Sequence, residues 1–329
     1  MGDLQLGHLG HRQQRLRGAE GACWTFIKMR MGQIIYGTYP EMERWRPDIV
    51  FFLGLGSLLA ILPKTPLRRP LVLFLLFVWP VLAFVLLVGG TYYLPFIEML
   101  GLADPVAIFS LPFVSTDSWG GLLVTLVVAV TGITASFPLG IILALARRSN
   151  MPVAKSVAVV FIETVRGVPL ISILFMSSVM LPLFLPPGNN VDKLLRALVG
   201  VALFSAAYMA EVIRGGLQAI PKGQYEAGKA LGLGYWKSTR LIILPQALKL
   251  VIPGIVNSFI SLFKDTTLVS IIGLRDLFNV LDDGAKDASW LGRDVEAYVF
   301  AALMFGVFCF AMSRVSMRIE RRLDTGHRK

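Results

Sequence analysis

Two neighbouring charges interrupt a long apolar run in the C-terminal part of the chain. Lys264 and Asp265 lie within segment 246–272, and Thr266 and Thr267 follow them directly. An ionisable side chain at such a depth is costly and usually faces a cavity or a partner of opposite charge. The two hydroxyls can hydrogen-bond to an ammonium or a carboxylate group. The sequence therefore leaves two interpretations open: a polar path for a charged solute, or a Lys–Asp pair that satisfies itself and fixes the position of the helix.

Motifs for nucleotide or metal chemistry are missing where they would matter. Segment 232–238 resembles a phosphate loop superficially, but Trp236 stands directly before its lysine. A phosphate loop needs glycine there so that the backbone can wrap the phosphates. The three histidines, His8, His11 and His327, lie in the tails, so no metal cluster is expected. We expect no ATP hydrolysis by this chain and no cofactor.

Composition indicates a membrane protein. Of the 329 residues, 55% are hydrophobic and 16% are charged, which is more apolar surface than a soluble domain can bury. The net charge of +11 does not indicate nucleic-acid binding, because the Lys and Arg residues flank apolar segments, as cytoplasmic loops do. Cys23 and Cys309 form no disulfide framework. The first 46 residues contain no apolar core of a signal peptide.

Helical spans follow from segment length, because a hydrocarbon core of about 30 Å needs about 20 helical residues. We expect spans at 71–90, 120–146, 158–186, 194–215, 246–272 and 296–314, with a shorter, marginal one at 48–63. Internal prolines do not exclude them, since packed neighbours satisfy the freed backbone groups. Membrane-spanning strands are not expected, because no segment alternates over a barrel-like length.

The charged loops predict orientation. Three basic regions should be cytoplasmic: the stretch after 120–146, the loop before 246–272, and the C-terminal tail. Segment 91–119, which lacks Lys and Arg, the nearly neutral loop 187–193 and the acidic segment 276–296 should face outward.

The N-terminal part conflicts with this pattern. If 48–63 spans, residues 1–46 lie outside with seven Lys and Arg residues, against the positive-inside tendency. Either 48–63 is re-entrant or interfacial, or a further spanning helix precedes residue 1. Because residues 23–27 and 36–40 read as ordered structure, we favour the second interpretation.

A spaced pattern occupies the basic loop before segment 246–272. Its fixed positions are Glu226, Ala227, Gly228, Gly232, Ile242, Leu244 and Pro245. This resembles the cytoplasmic loop of ABC-importer membrane subunits, in which E-A-A-x-x-x-G is followed nine residues later by I-x-L-P. Gly228 replaces the second alanine. The resemblance implies a short helix that docks into a cleft of the ATP-hydrolysing subunit. Gly232 should end that helix in a left-handed conformation.

Further blocks in the same order sharpen the resemblance. Residues 163–170 are similar to the E-x-x-R-G-x-P-L run of importers for polar amino acids, and 207–216 to their A-Y-x-x-E-x-x-R-G-G run. Residues 264–269 are similar to their K-D-T-S-L segment. The N-terminal hairpin, with 39–40 and 43–47, looks most like one membrane subunit of the general L-amino-acid importers.

The charged pairs in these blocks have a plainer interpretation. Glu163 with Arg166, and Glu211 with Arg214, are spaced to pair along a helix. We favour the view that each pair neutralises itself near the membrane–cytoplasm boundary.

The resemblance implies an all-α integral membrane protein, with the type I ABC-importer permease core of five or more spans and an N-terminal helical extension. We divide the chain into a polar segment 1–46, a transmembrane hairpin and external loop 47–119, the permease core 120–315 and a basic cytoplasmic tail 316–329. Implied partners are an ATPase dimer, a second homologous permease, a periplasmic amino-acid-binding protein and the lipid bilayer of the inner membrane. Alternatives are an ion-coupled secondary amino-acid transporter, which would normally show inverted repeats, and a non-transporting scaffold.

Overall fold

The computed structural model describes residues 24–61, 70–71, 74–93, 107–184, 186 and 191–323. Cys23, the three histidines and parts of the expected external loops lie outside these residues. The helices are α1 Thr25–Tyr36, α2 Trp45–Ile61, α3 Trp79–Val88, α4 Gly121–Arg148, α5 Pro152–Gly167, α6 Leu170–Phe175, α7 Lys193–Ala219, α8 Lys222–Ala230, α9 Tyr235–Ser238, α10 Leu244–Leu250, α11 Ile252–Asp265, α12 Leu277–Lys286 and α13 Asp294–Leu323. The strands are β1 Gly90–Tyr93, β2 Ala107–Leu111 and β3 Arg275–Asp276.

The pair α4 and α7 forms the centre of the helical bundle, and glycines of α4 mark its closest contacts. A side chain at Gly140 would meet Met209 of α7 at 2.6 Å, and one at Gly132 would meet Leu262 of α11 at 2.9 Å. Small residues let membrane helices approach closely, since packing rather than the hydrophobic effect holds them together in lipid. Helices α5 and α11 pack against this pair, and α13 packs against α11 and α12.

Four helices in the described part of the chain are long and apolar enough to cross a membrane. They are α4, α7, the segment Ile252–Ile272 and most of α13. The expected spans in these four regions are therefore supported. The described helix within 71–90 runs only from Phe74 to Val88, and α2 has 17 residues, so neither passes the same test.

The expected continuous span 158–186 is broken. Residues Pro152–Gly167 and Leu170–Phe184 are bent by 107° relative to each other. The break lies at Val168, which is extended at φ −113° and ψ 137°, because the ring of Pro169 disfavours the helical region for the preceding residue. Pro169 thus follows a break in the helix, and the two parts together are still long and apolar enough to form one broken span.

A second break divides the expected span 246–272. Helix α10 ends at Leu250, Val251 leaves the helical region, and α11 begins with Pro253 in its first turn. Proline suits the first turn because a backbone N–H at that position would have no acceptor within the helix, so proline loses no hydrogen bond there. The span then continues from α11 as a tighter helix over Thr266–Ile272.

The regions expected to face outward contain elements that the charge pattern did not predict. Strands β1 and β2 pair antiparallel, outside the spanning helices. The acidic segment expected as a loop contains α12, capped by Asp276, whose carboxylate accepts from the N–H groups of Phe278 and Asn279. Aspartate before an apolar residue is a helix-start signal, and the high charge of the segment obscured it.

The N-terminal residues lie at the end of the bundle where α4 begins. Gly37 pairs with Trp119, and the hydroxyl of Tyr39 donates to the carbonyl of Leu87 at 2.9 Å. Arg46 is fully buried, donates to the carbonyl of Pro112 and pairs with Glu43 at 2.6 Å. Since α12 also contacts α1 and α4 there, this end carries the extension, and the opposite end carries α8.

Candidate coupling site and translocation path

Helix α8 ends as the glycine at position 232 predicts. Gly232 has φ +70°, a conformation that glycine adopts without strain. Its N–H donates to the carbonyl of Lys229 at 2.9 Å, and the N–H of Leu233 donates to that of Gly228 at 3.0 Å. These two bonds form a Schellman motif, which satisfies carbonyls that the helix end would otherwise leave open.

The second half of the spaced pattern, which runs from Ile242 to Pro245, lies against the first half in helix α8. Gly228 is buried, and a side chain there would meet Oγ of Ser238 at 2.5 Å and Cδ1 of Ile242 at 3.8 Å. The side chain of Gln246 donates to that of Gln224 at 3.0 Å. Pro245 stands in the first turn of α10. The fold therefore brings Gly228 and Ile242 together, and glycine in place of alanine permits the close approach to Ser238.

The other face of this region is open. Glu226, Ala227 and Lys229 are exposed, and Leu231, Tyr235, Trp236 and Leu241 are 74%, 56%, 68% and 65% exposed. A contiguous set of exposed apolar side chains beside charges is typical of a protein interface. The geometry thus provides a rigid short helix with one face held by the bundle and one face free to bind.

A cluster of charges joins α4, α5 and α7 at the same end. Glu211 pairs with Arg214 at 2.8 Å, with Arg147 at 2.9 Å and with Arg166 at 3.5 Å. Arg147 also pairs with Glu163 at 2.7 Å. Within the described residues, Glu211 therefore pairs with Arg214 and with two further arginines. Glu163 pairs with Arg147 across the α4–α5 turn rather than with Arg166.

Sequence reasoning missed Arg148 and Tyr225. Arg148 donates to the hydroxyl of Tyr225 at 3.2 Å, and its guanidinium lies 5.7 Å from the ring centroid. The same hydroxyl donates to the carbonyl of Leu217 in α7 at 3.0 Å. The two residues are 77 positions apart, so only the position of Tyr225 next to Glu226 could have drawn attention to it.

The candidate path residues lie at the end of α11. Lys264 is exposed and Asp265 is half-buried, and within the described residues neither side chain has an ion pair or a hydrogen bond. A self-satisfied Lys–Asp pair is therefore not seen. The hydroxyls of Thr266 and Thr267 donate to the carbonyls of Phe263 and Lys264 at 2.8 and 3.0 Å. Both hydroxyl protons are therefore used in hydrogen bonds within their own helix. Only the hydroxyl oxygen lone pairs remain to accept a hydrogen bond from a solute.

The break at Val251 also affects the position of Lys264 along the bundle. A single helix from Pro245 would place it about 28 Å away, but the break at Val251 removes that straight path. Counted from Ile252, Lys264 lies about 18 Å along its span. The chain then continues to Arg275, which forms a bridge with Gly120 at the N-terminal end of α4, so Lys264 lies nearer that end than α8 does.

The end of the bundle that carries the extension has a cavity and a buried carboxyl group. A cavity of about 670 Å³ is lined by α1, Arg44 and Trp290, and the candidate path residues do not line it. Burial raises the pKa of Asp276 to about 6, although the N–H groups of Phe278 and Asn279 favour its charged form.

Residues 136–325 match the family described as binding-protein-dependent transport system inner membrane component. The chain belongs to this family. It is the membrane-spanning permease subunit of an ABC transporter, and ATP hydrolysis belongs to another subunit. The prediction of an all-α permease of the inner membrane is confirmed, and the family implies ATPase and binding-protein partners.

Two relatives match more than nine-tenths of this chain. The inner membrane amino-acid ABC transporter permease protein YhdY of Escherichia coli (strain K12) is 52% identical over 93% of this chain and 79% of its own. The glutamate/glutamine/aspartate/asparagine transport system permease protein BztC of Rhodobacter capsulatus is 45% identical over 94% of this chain and 81% of its own.

The fold of the permease is also found in a solved structure. A crystal structure of an amino acid ABC transporter with histidines matches it with a TM-score of 0.54 and 32% identity, over 61% of this chain and 92% of that chain. The remaining part of this chain, which that structure does not match, is large enough to include the N-terminal extension.

Proposed function

We propose that this permease belongs to an ATP-driven importer of L-amino acids. It pairs with a second homologous permease, two ATPase subunits and a periplasmic amino-acid-binding protein. The named relatives support amino acids as the substrate class. We also propose the domain division at residues 46, 119 and 315, and a cytoplasmic C-terminus.

The observation that carries the proposal is the two-sided arrangement of α8. One face holds Gly228 against Ser238, and the other presents Glu226 and exposed apolar side chains to solvent. A helix fixed in this way moves with the bundle when its partner moves. ATP-driven closure of the ATPase pair would shift α8, tilt the core spans and change the side to which the cavity opens.

Uptake into membrane vesicles tests the function against its alternatives. The complete importer should take up labelled amino acid only when ATP is available to the ATPase, and a dissipated ion gradient should leave uptake unchanged. Uptake that follows the ion gradient without ATP would identify an ion-coupled secondary transporter. A scaffold would give no uptake under any condition.

Glu226→Lys tests the coupling helix itself. We expect the variant to reach the membrane but to lose most of the bound ATPase, since breaking a buried interfacial charge contact costs about 2–5 kcal/mol. Co-purification of the ATPase measures this, and Glu320→Lys is the control because it makes the same charge change at an exposed site in α13. Equal amounts of ATPase on both variants would contradict the role of α8.

The path proposal concerns the end of α11. Lys264 and Asp265 carry opposite charges and make no ion pair or side-chain hydrogen bond within the described residues, and a zwitterionic amino acid offers the matching pair of charges. We propose that they line the translocation cavity and hold the solute or close its outer gate, with Thr266 and Thr267 beside them.

A further inference from the structure

The coupling helix is tied to the bundle by the residue directly before its exposed glutamate. Tyr225 points toward α4 and α7, where its hydroxyl accepts from Arg148 at 3.2 Å and donates to the carbonyl of Leu217 at 3.0 Å. Glu226, the next residue, is exposed. Adjacent positions of one helix therefore contact the bundle on one side and are open to a partner on the other.

Arg148 stands beside the residue that holds the charge cluster together. The two terminal nitrogens of Arg147 bind different helices, one Glu211 of α7 at 2.9 Å and the other Glu163 of α5 at 2.7 Å. Arg147 and Glu211 are only 21% and 14% exposed. Since Arg147 and Arg148 share the last turn of α4, a displacement of Tyr225 that pulls on Arg148 also acts on the contacts of Arg147.

We propose that Tyr225 and Arg148 are positioning residues that transmit movement of α8 to the Glu211 cluster. Separation of the inner ends of α4, α5 and α7 then requires Arg147 to leave Glu163 and Glu211. The inference rests on the proposed function, in which α8 is the part moved by the ATPase. It adds the route by which that movement reaches the spanning helices.

The chemistry of the contacts suits such a route. A hydrogen bond from an ionised donor is stronger than one between neutral groups. The guanidinium of Arg148 is also stacked against the ring of Tyr225 at 5.7 Å, which adds a cation–π attraction. A contact with both features resists sliding, so it transfers displacement better than apolar packing does.

Tyr225→Phe separates transmission from binding. The variant keeps the ring, its packing and its stacking on Arg148, and loses only the two hydrogen bonds of the hydroxyl. We expect normal co-purification of the ATPase and continued ATP hydrolysis. The amount of amino acid moved per ATP should fall roughly tenfold, the effect of losing one charge-assisted hydrogen bond. Tyr298→Phe is the matched control, because it removes one hydroxyl bond, to Asp282, at the outer end.

A double substitution shows whether the two residues act together. Arg148→Gln should lower transport per ATP as Tyr225→Phe does, and the double variant should be no worse than the more severe single one, since contacting residues are not additive. Multiplied effects in the double variant would contradict a shared route.

Two outcomes would overturn the proposal. Transport per ATP in Tyr225→Phe could equal that of Tyr298→Phe, or ATPase binding could fall together with uptake, which is the mark of a purely structural contact. Failure of the proposed function is distinguishable, because it would appear in the unaltered protein as uptake that needs no ATP.

Discussion

At the scale of single residues, the neighbouring glycines Gly215 and Gly216 of α7 have different surroundings. A side chain at Gly216 would meet the backbone carbonyl oxygen of Ala247 at 2.6 Å, whereas nothing lies within 4 Å of one at Gly215. Gly216 therefore lets α7 lie against the backbone of α10, next to the coupling helix. Gly215 makes no such contact.

Alanine at these two glycines gives a paired prediction. Gly216→Ala should lower the free energy of unfolding by about 1–3 kcal/mol, because the backbone of α10 must move away. Gly215→Ala should be neutral or stabilising by up to about 1 kcal/mol, since alanine favours a helix over glycine. Thermal unfolding of the purified variants measures both, and equal melting temperatures would contradict the contact with α10.

Exchange of the two path charges tests their function at the same scale. In the double variant Lys264→Asp, Asp265→Lys the local composition is kept and the field along the cavity is inverted. We expect uptake and substrate stimulation of the ATPase to be lost if the residues line the path. Near-normal values for both would assign these residues a structural role instead.

At the scale of elements, α12 depends on a buried carboxyl group at its N-terminus. Asp276 accepts two backbone N–H groups, yet burial raises its pKa to about 6. Its pKa in the unfolded chain is about 4, so the folded state binds this proton more tightly. The contribution to stability is complete below pH 4 and is lost as the pH rises through 6.

Asp276→Asn should remove this dependence. Asparagine caps a helix about as well as aspartate and carries no charge to bury. The variant should match the unaltered protein near pH 4 and exceed its free energy of unfolding by about 2–3 kcal/mol at pH 8. The effect is measured as the difference in melting temperature between the variant and the unaltered protein, recorded at pH 5 and at pH 8. A constant difference across that range would show that ionisation of Asp276 has no cost.

How much the sequence predicts also differs between elements. Long apolar segments predicted α4, α7, α11 with its continuation, and α13, because only such segments can cross a bilayer. Pro169 and Pro253 mark positions where a helix can break, but Pro138 lies inside the unbroken α4. Whether a break occurs depends on neighbours that satisfy the freed backbone groups, and neighbours are not visible in a sequence. The links from Arg148 to Tyr225 and from Arg147 to Glu163 join residues of ordinary type across the fold, and their partners depend on packing.

At the scale of the whole molecule, the two ends of α4 carry different elements. One end carries the extension, β3 and the cap of α12, and the other carries the charge cluster and the coupling helix. The positive charges of Arg147 and Arg148 at the second end follow the positive-inside tendency. We therefore expect the extension to face the periplasm.

Single-cysteine labelling checks this orientation after Cys23 and Cys309 are replaced. Thr38→Cys should react with a membrane-impermeant reagent in intact cells, because Thr38 is exposed at the extension end. Asn150→Cys, in the exposed α4–α5 turn, should react only after lysis. The reverse pattern would place α8 outside and contradict its coupling role.

The seam between the extension and the core limits how such permeases can be recombined. Gly37 lies against the backbone of Gly120, and Gly121, at φ +62°, lies against the carbonyl of Ile34. Main chain thus meets main chain there, without room for a side chain on either side. A chimera that grafts this extension onto another permease core therefore needs glycine at both joining positions of the recipient, even if every other surface residue is matched.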